Sequence, residues 1–409
     1  MAKLSDFNLM DVKTQECPYE YYGLLRKEAP IYKMPETGYY IVSRYDDVLE
    51  ALRNPEVFSS KLGFNAFEIP EEVIEIYEKE GFGQPVDTLV SNDPPEHTRF
   101  RDLVDRDFTA GRVRKMMPYI KQIVNEAIDG FIDDGEAEIV TQFAIPIPLM
   151  IIADQLGVPR EDMDRFKMWS DAAVEPLGLM VTKERYIECA RLTNDFDRYM
   201  NDRLEERRKT PTDDILSDLV QARVEGEREL NTLELLSITK QLLGAGNETS
   251  TNALASGVVL MIENPEELEK CREDRSRYAT LAEEVLRLEA PVAGLFRSTT
   301  KDTELGGVKI PKGSVVNLRY ASANRDEGTF EGADKLDVCR QAAGKHFSFG
   351  AGIHHCIGAQ LARREIELGL ECLNERVKNL RLVNPEGLEH APSFILRGLK
   401  EVRVTFDKR

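Results

Sequence analysis

The 409-residue sequence predicts a mainly α-helical fold with a small β lobe. Apolar residues recur at helical spacing over most of residues 113–208, and the longest helical pattern covers residues 231–264. Two short runs with β-branched and aromatic residues, 31–34 and 39–42, flank a Pro-Glu-Thr-Gly turn and predict a β-hairpin. Residues 70–79 predict one short helix within a long loop.

The composition excludes some classes of protein. A net charge of −19 argues against nucleic-acid binding, which needs a basic face. The longest apolar run, near residues 143–153, contains two prolines and is shorter than the ~20 residues of a membrane span. No signal peptide is visible, so no membrane anchor is expected. The six cysteines are far apart and show no disulfide framework, which predicts a cytoplasmic protein, and we expect a monomer.

The predicted helix over residues 231–264 has an unusual centre. Asn231 and Glu234 form a predicted capping box, and Pro265 follows the helix end. The centre, Gly-Ala-Gly-Asn-Glu-Thr over residues 244–249, combines glycines with an acid and an alcohol. An interior glycine costs about 1 kcal/mol relative to alanine, so this composition indicates a functional site. A glycine-kinked core helix is the alternative.

One cysteine, Cys356, lies between glycines at the start of a helical pattern, in the stretch Phe-Gly-Ala-Gly-Ile-His-His-Cys-Ile-Gly over residues 349–358. Glycines allow positive φ and the close approach of a flat ligand, and a helix start lowers the pKa of a thiol. The residues indicate a thiolate suited to a metal such as haem iron. The alternative is a buried structural cysteine. Structural zinc and c-type haem attachment fit poorly because no Cys-x-x-Cys occurs.

Two further pairs of residues lie on predicted helical faces. His97 and Arg101 are four residues apart and can clamp a carboxylate, although such pairs are usually solvated surface. Glu284 and Arg287 are three residues apart, and an ordinary pair at that spacing contributes only a few tenths of a kcal/mol.

Together these four motifs resemble those of the cytochrome P450 monooxygenases. The cysteine stretch matches Phe-x-x-Gly-x-His-x-Cys-x-Gly, and residues 245–249 match Ala-Gly-x-(Asp/Glu)-Thr. The His-x-x-x-Arg and Glu-x-x-Arg pairs also occur in the family's order. The resemblance covers nearly the whole chain and implies the cytochrome P450 fold, with haem between the long central helix and the cysteine loop. The implied organisation is one domain over residues 1–409 with a sheet-rich lobe near residues 30–60, 290–320 and 390–409.

The resemblance also implies roles for individual residues. It implies haem b with the Cys356 thiolate as the axial ligand of iron, Glu248 as a proton relay and Thr249 as the alcohol that hydrogen-bonds dioxygen. The residues implied to contact haem are His97, Arg101, Ala245, Gly246, Arg297, Phe349, Gly350, His354, Cys356 and Gly358. The residues implied to brace the fold are Glu284, Arg287 and Arg340. The loop before the cysteine departs from the family pattern at Glu327, Ala333 and Leu336.

The implied substrate site is mostly apolar. We therefore expect a medium-sized hydrophobic substrate, such as a terpenoid, steroid, macrolide-like or aromatic compound. A predicted lid over residues 176–183 joins two helices, and a predicted hairpin over residues 392–399 closes the site. Expected substrate contacts are Val86, Leu89, Leu177, Met180, Gly244, Val292, Ala293, Leu295, Phe394 and Ile395. Plain packing between helices is the alternative for the lid residues.

The implied reaction inserts one oxygen atom of O₂ into a C–H bond or a double bond and consumes two electrons. A separate ferredoxin or flavodoxin is the expected donor because no flavin or iron–sulfur module follows Arg409. The expected docking surface is the basic cluster Arg106, Arg112, Arg114, Lys115, Arg363 and Arg364, although such clusters are usually solvated faces. Desaturation, oxidative coupling or isomerisation at the same iron remain alternatives, as does a haem-thiolate protein that binds a ligand without turnover.

Overall fold

Helices form most of the computed structural model, which describes residues 3–64, 67–223 and 228–409. The helices are α1 (Val12–Glu16), α2 (Tyr19–Glu28), α3 (Tyr45–Leu52), α4 (Ser60–Phe64), α5 (Glu71–Glu80), α6 (Glu96–Val104), α7 (Ala110–Asp129), α8 (Pro146–Gln155), α9 (Met163–Val174), α10 (Lys183–Lys209), α11 (Ile215–Gln221), α12 (Thr232–Glu263), α13 (Pro265–Glu273), α14 (Arg277–Leu288), α15 (Tyr320–Ala323) and α16 (Ala359–Arg376). The strands are β1 (Ile31–Lys33), β2 (Tyr40–Val42), β3 (Phe58–Ser59), β4 (Glu136–Glu138), β5 (Leu295–Thr299), β6 (Thr303–Leu305), β7 (Val308–Ile310), β8 (Val315–Leu318), β9 (Val377–Leu382) and β10 (Arg403–Lys408). The helices predicted over residues 70–79 and 231–264 are confirmed as α5 and α12.

Helix α12 divides the helical core into two parts. The Asn231 side chain accepts from the Glu234 N–H, and the Glu234 carboxylate accepts from the Asn231 N–H, which confirms the predicted capping box. Up to Leu243 the apolar residues of α12 pack with α8, α9 and α10. From Ala253 onward they pack with α7, α14 and α16. The small and polar residues 244–252 therefore lie between two apolar clusters.

The predicted hairpin is confirmed, and it forms one edge of a five-stranded sheet in the order β1-β2-β8-β5-β3. β1 and β2 are antiparallel with Tyr32 opposite Ile41, and β2 runs parallel to β8. Strand β10 belongs to a separate three-stranded sheet, where it pairs with β4 and β9. Strands β1, β2 and β3 near residues 30–60 therefore share one sheet with β5 and β8, whereas β6 and β7 form a separate pair and residues 403–408 join a third sheet.

The segment 392–399 differs from the predicted hairpin. The chain does reverse there, with a hydrogen bond of 2.9 Å from the Ala391 N–H to the Gly398 carbonyl and an isolated antiparallel bridge between His390 and Leu399. This fully described segment nevertheless contains no strand. The reason is that its N–H groups bond elsewhere. The Phe394 N–H donates to the Gly178 carbonyl at 2.9 Å, and the Ser393 N–H donates to the Gln15 side chain at 3.0 Å.

The predicted junction over residues 176–183 is present. Helix α9 ends at Val174, a single 3₁₀ turn covers Glu175–Gly178, and α10 begins at Lys183. Of the helices in the described ranges, none has the length and apolar composition to cross a bilayer.

Candidate active site

Cys356 lies in a tight loop that leads into α16. Gly350 and Gly352 adopt φ of 63° and 67°, in the left-handed region that glycine tolerates. The Cys356 N–H donates to the Phe349 carbonyl at 2.8 Å, which closes the loop. A Cβ at Gly352 would lie 2.6 Å from the Leu52 carbonyl oxygen, so the loop touches the main chain at the end of α3. Only glycine fits there.

Opposing effects act on the Cys356 thiol. Part of Cys356 is exposed to solvent. Its thiol is nevertheless surrounded by protein atoms, and this loss of hydration raises the pKa of the thiol. Hydrogen bonds from the N–H groups of Gly358 and Ala359, together with the charges of Arg101 and Arg363, lower the pKa. Since Gly358 directly precedes α16, these N–H groups belong to a helix start, which stabilises negative charge on the sulfur. Burial is the larger effect, so the pKa of the thiol is raised overall.

A carboxylate behind the loop was not predicted from the sequence. Glu283 accepts a hydrogen bond from Arg363 Nε at 2.5 Å and one from His346 Nε2 at 2.9 Å. The Ser348 N–H donates to His346 Nδ1 at 3.1 Å, so Nε2 is the ring nitrogen that donates to Glu283. Burial raises the pKa of Glu283, but these hydrogen bonds outweigh it and lower the pKa to about 2.

The Glu283 carboxylate in turn orients a cation of α16, Arg363, towards the cysteine loop. The Arg363 guanidinium carbon lies 4.4 Å from the centre of the Phe349 ring, in cation–π geometry. Phe349 is the residue whose carbonyl receives the Cys356 N–H. The sequence signal was weak, because an acid next to Glu284 is indistinguishable from a surface residue.

Basic side chains from three segments converge beside this loop. The ring centroids of His97, on α6, and His354 are 4.2 Å apart, and both Nε2 atoms are buried with no hydrogen-bond partner in the described structure. Burial lowers the pKa of both rings, and nearby Arg297, His97 and Arg101 help to lower the pKa of His354 to about 2. Arg101 also donates to the His355 carbonyl at 2.8 Å. The result is a group of donors suited to an anionic ligand.

Within residues 244–249 at the centre of α12, only Ala245 is exposed to solvent. A Cβ at Gly244 would lie 2.9 Å from the Val174 side chain of α9, and one at Gly246 would lie 3.1 Å from the Ile152 side chain of α8. The two glycines thus allow α8 and α9 to pack closely against α12. Ala245, between them, is exposed although it lies in the middle of a core helix.

Glu248 and Thr249 follow one turn after Ala245. The Thr249 hydroxyl donates to the Ala245 carbonyl at 2.9 Å, a bond within the helix. Burial raises the pKa of Glu248, while the charge of Lys167 and a hydrogen bond with Asn252 lower it. The structure therefore places an alcohol and a carboxyl of raised pKa side by side on α12.

The Glu-x-x-Arg pair is buried, as the resemblance implied. Arg287 Nε donates to Glu284 at 2.6 Å, and both side chains are fully buried. Arg340 Nε donates to the same Glu284 oxygen at 3.0 Å. Arg287 also donates to the main-chain carbonyls of residues 324, 333 and 335. These bonds connect α14 to the loop that precedes the cysteine.

Comparison with known proteins agrees with this geometry. The cytochrome P450 family model matches residues 163–395. The chain is 34% identical to vitamin D(3) 25-hydroxylase of Pseudonocardia autotrophica, over 96% of this chain and 94% of that protein. The chain belongs to the cytochrome P450 family.

Solved P450 structures share the whole fold. CYP109E1 of Bacillus megaterium, in complex with testosterone, has a TM-score of 0.84 and 31% identity, covering 97% of this chain and 99% of that one. A mutant of P450 EryK in complex with erythromycin B has a TM-score of 0.83 and 32% identity, covering 97% of each chain. This P450 is therefore a monooxygenase of the bacterial type, with haem as its cofactor and a cysteine thiolate as the iron ligand.

The residues of this P450 fit a haem group. The partnerless Nε2 atoms of His97 and His354 offer donors to propionate carboxylates, and Arg101 and Arg297 supply positive charge beside them. A Cβ at Gly358 would meet no atom within 4 Å, so a flat ring can approach the loop there.

The predicted substrate residues fall into two groups. Ala293 and Ile395 are buried and joined by a hydrogen bond of 2.7 Å from the Ala293 N–H to the Ile395 carbonyl. Phe394 is fully buried, and its ring stacks on Phe296 with centroids 5.4 Å apart. The residues that are buried or half-buried in this region are Val86, Leu89, Met180, Gly244, Val292, Ala293, Leu295, Phe394 and Ile395.

Leu177 differs from the other predicted contacts, because 43% of the residue is exposed on the turn before α10. Gly244 has its open side filled by Val174, which gives this glycine a packing role. Substrate contact by either residue stays a prediction.

One buried acid of this P450 was not singled out in the sequence. Glu365, on α16, is 2% exposed and accepts a hydrogen bond of 2.6 Å from the Ser250 hydroxyl of α12. Burial raises the pKa of Glu365 to about 7. This bond directly joins the helix after the cysteine to the helix that carries Thr249.

Proposed function

We propose that this P450 hydroxylates or epoxidises a medium-sized hydrophobic molecule, with Cys356 as the thiolate ligand of its haem. The observation that carries the proposal is the Glu248–Thr249 pair beside exposed Ala245 in the middle of a core helix. An ordinary core helix does not place an acid, an alcohol and an exposed alanine at its centre. When bound, the haem supplies the reductive activation of O₂ and the transfer of one oxygen atom.

The chain's own residues hold this cofactor in place. The Cys356 thiolate is stabilised by the helix-start N–H groups of Gly358 and Ala359. His97 and His354, with Arg101 and Arg297 nearby, bind the carboxylates of the propionates. The supporting observation is that both buried imidazole Nε2 atoms lack a partner in the described chain.

Glu248 and Thr249 move protons to the oxygen site. Burial raises the pKa of Glu248, and a carboxyl of raised pKa beside an alcohol is suited to relaying protons. Lys167 and Asp171 on α9 form a half-buried ion pair near Glu248, which provides a polar route towards solvent. The Thr249 hydroxyl lies next in the chain and passes the proton on when it leaves the Ala245 carbonyl.

The substrate class follows from the apolar residues of the site and from the relatives. Ala293, Phe394 and Ile395 present buried apolar surface from two joined segments. Relatives are named for vitamin D(3) or were solved with testosterone or erythromycin B. We therefore place the substrate among hydrophobic molecules of steroid to macrolide size.

A cytoplasmic ferredoxin or flavodoxin delivers the electrons. Three members of the basic cluster, Arg106, Arg114 and Lys115, are exposed and available for docking. The other three side chains are paired with acids: Arg112 with Asp218, Arg363 with Glu283 and Arg364 with Glu367. Docking therefore depends on the first three more than on the last three.

An isotope experiment tests this function. Compounds that shift the Soret band of the purified haem-loaded enzyme are incubated with NADH, surrogate redox partners and ¹⁸O₂. One ¹⁸O atom per product molecule is the expected result. A desaturated, coupled or isomerised product without ¹⁸O would replace monooxygenation by one of those reactions. A spectral shift without NADH-dependent product would indicate a ligand-binding protein.

A further inference from the structure

The loop between α5 and α6 is hydrogen-bonded to α12 by two side chains. Ser237 Oγ donates to the Val86 carbonyl at 2.8 Å. Gln241 Oε1 accepts from the Val90 N–H at 3.1 Å, and Gln241 Nε2 donates to Thr88 Oγ1 at 2.6 Å. Both main-chain ends of the segment 86–90, and its middle side chain, are therefore attached to a single helix.

The donors and acceptors form one connected chain. The single proton of Ser237 goes to the Val86 carbonyl, so the Thr88 hydroxyl must be the donor in its 2.9 Å bond to Ser237. Thr88 is fully buried, and its hydroxyl oxygen accepts a hydrogen bond from the Gln241 side-chain amide. Loss of one partner would leave a buried polar group unsatisfied, at a cost of about 1–3 kcal/mol.

The spacing on α12 connects this contact to the oxygen site. Ser237, Gln241, Ala245 and Thr249 are each four residues apart, so they lie along one face of the helix. The first two bind the loop, Ala245 is exposed, and Thr249 is the proposed alcohol. The loop is thereby fixed on the same helical face, one turn from Ala245.

The far end of the loop is also fixed. Asn92 Nδ2 donates to the Asp87 carbonyl at 3.0 Å, which ties the loop to itself. The Asp93 carboxylate accepts from the Ser60 N–H at 2.9 Å, which ties the loop to α4.

We propose that Ser237 and Gln241 are positioning residues that make the segment 86–90 a fixed wall of the substrate site. Leu89 packs into the apolar cluster that includes α12 and holds the wall from behind, while half-buried Val86 is the side chain whose position the wall sets. The wall thereby selects ligands by their size and shape. Since Gln241 Oε1 binds the Val90 N–H and Nε2 binds the hydroxyls of Thr88 and Ser237, its amide acts on the ligand through the loop. The inference deepens the proposed function and rests on the haem site, but not on turnover.

Gln241→Leu and Ser237→Ala in the haem-loaded enzyme test the wall. Thr239→Ala is the matched control on the same helix, because the buried Thr239 hydroxyl donates to the Leu236 carbonyl within α12 at 3.0 Å. The first readout is hydrogen exchange of peptides covering residues 84–93. We expect about tenfold faster exchange there in both test variants and no change in the control.

The second readout is the dissociation constant of two haem ligands, imidazole and 4-phenylimidazole, followed by the shift of the Soret band. We expect the larger phenyl group to pack against the wall and the small imidazole ring to leave it untouched. We expect Gln241→Leu to weaken 4-phenylimidazole several-fold and leave imidazole unchanged. Faster exchange without a change in this ratio, or no faster exchange, overturns the proposal. Because neither ligand is turned over, a failure of the ¹⁸O experiment leaves this result intact.

Discussion

The two sides of the haem site are built by different means. On the cysteine side, the loop is held by hydrogen bonds, by the fully buried pair Glu284–Arg287 and by the Glu283 carboxylate. On the opposite side, α12 is one continuous helix, and Val174 and Ile152 pack against its glycines Gly244 and Gly246. The difference shows that the ligand side is fixed by polar contacts, whereas the oxygen side is shaped by the removal of side chains.

The largest expected effect comes from replacing the iron ligand on the cysteine side. Cys356→Ser removes the sulfur, so the reduced carbon-monoxide complex should lose its band near about 450 nm. The exposed residue Cys339 provides the matched control, and Cys339→Ser should keep the band. A retained band in Cys356→Ser would show that another residue ligates the iron.

The next effect concerns the polar contacts of the cysteine side. Glu284→Gln leaves the charge of buried Arg287 uncompensated, so the free energy of unfolding should fall by about 3–5 kcal/mol in urea titration. Glu371→Gln removes the same charge from an ion pair with exposed Arg275 and should cost less than about 1 kcal/mol. An equal loss of unfolding free energy in the two variants would show that the buried polar contacts do not hold the cysteine side more strongly than surface ion pairs do.

The hydrogen bond between Glu365 and Ser250 links the two sides of the haem site, and the Glu365 carboxyl can titrate. Burial raises the pKa of Glu365 from 4.5 to about 7, so the unfolded chain loses this proton at lower pH than the folded chain. The stability of the wild type should therefore fall, relative to Glu365→Gln, as the pH rises from 4.5 to about 7. The variant should be the more stable protein at pH 8, by about 3 kcal/mol in urea unfolding. The two proteins should show no such difference near pH 4.5, and a constant difference across this range would contradict the assignment.

The smallest predicted effect belongs to the oxygen side. Thr249→Ala should lower product formed per NADH by about a hundredfold while the carbon-monoxide band stays unchanged. Thr239→Ala removes a buried hydroxyl of the same helix, bonded to the Leu236 carbonyl, and should leave the coupling unchanged. A loss of the band in Thr249→Ala would show that the residue acts on folding instead.

The elements with strong local signals were predictable from the sequence. The capping box at Asn231 and the hairpin turn each depend on residues that are close together in the sequence. Strand β4, in contrast, is the short run Glu136–Glu138, and it is a strand only because β10 pairs with it. The segment 392–399 was misjudged for the same reason, since its N–H groups find partners far away in the chain.

The site shows the same division. Motif residues such as Glu284 and Arg287 were found because their spacing is fixed. Glu283, Gln241 and Thr88 were missed because a polar residue on a helix or in a loop looks the same whether it faces water or a distant partner. Gly244 illustrates a subtler limit, since its small size is explained by a neighbour on α9 that no local pattern reveals.

The contact of Gly352 with Leu52 has a consequence for biogenesis. These residues come from opposite ends of the polypeptide, so the cysteine loop reaches its final shape only after the N-terminal part has docked. Contacts of such large sequence separation form late, because loop closure must precede them. The appearance of the haem-thiolate spectrum during refolding should therefore follow, and never precede, the burial of α3.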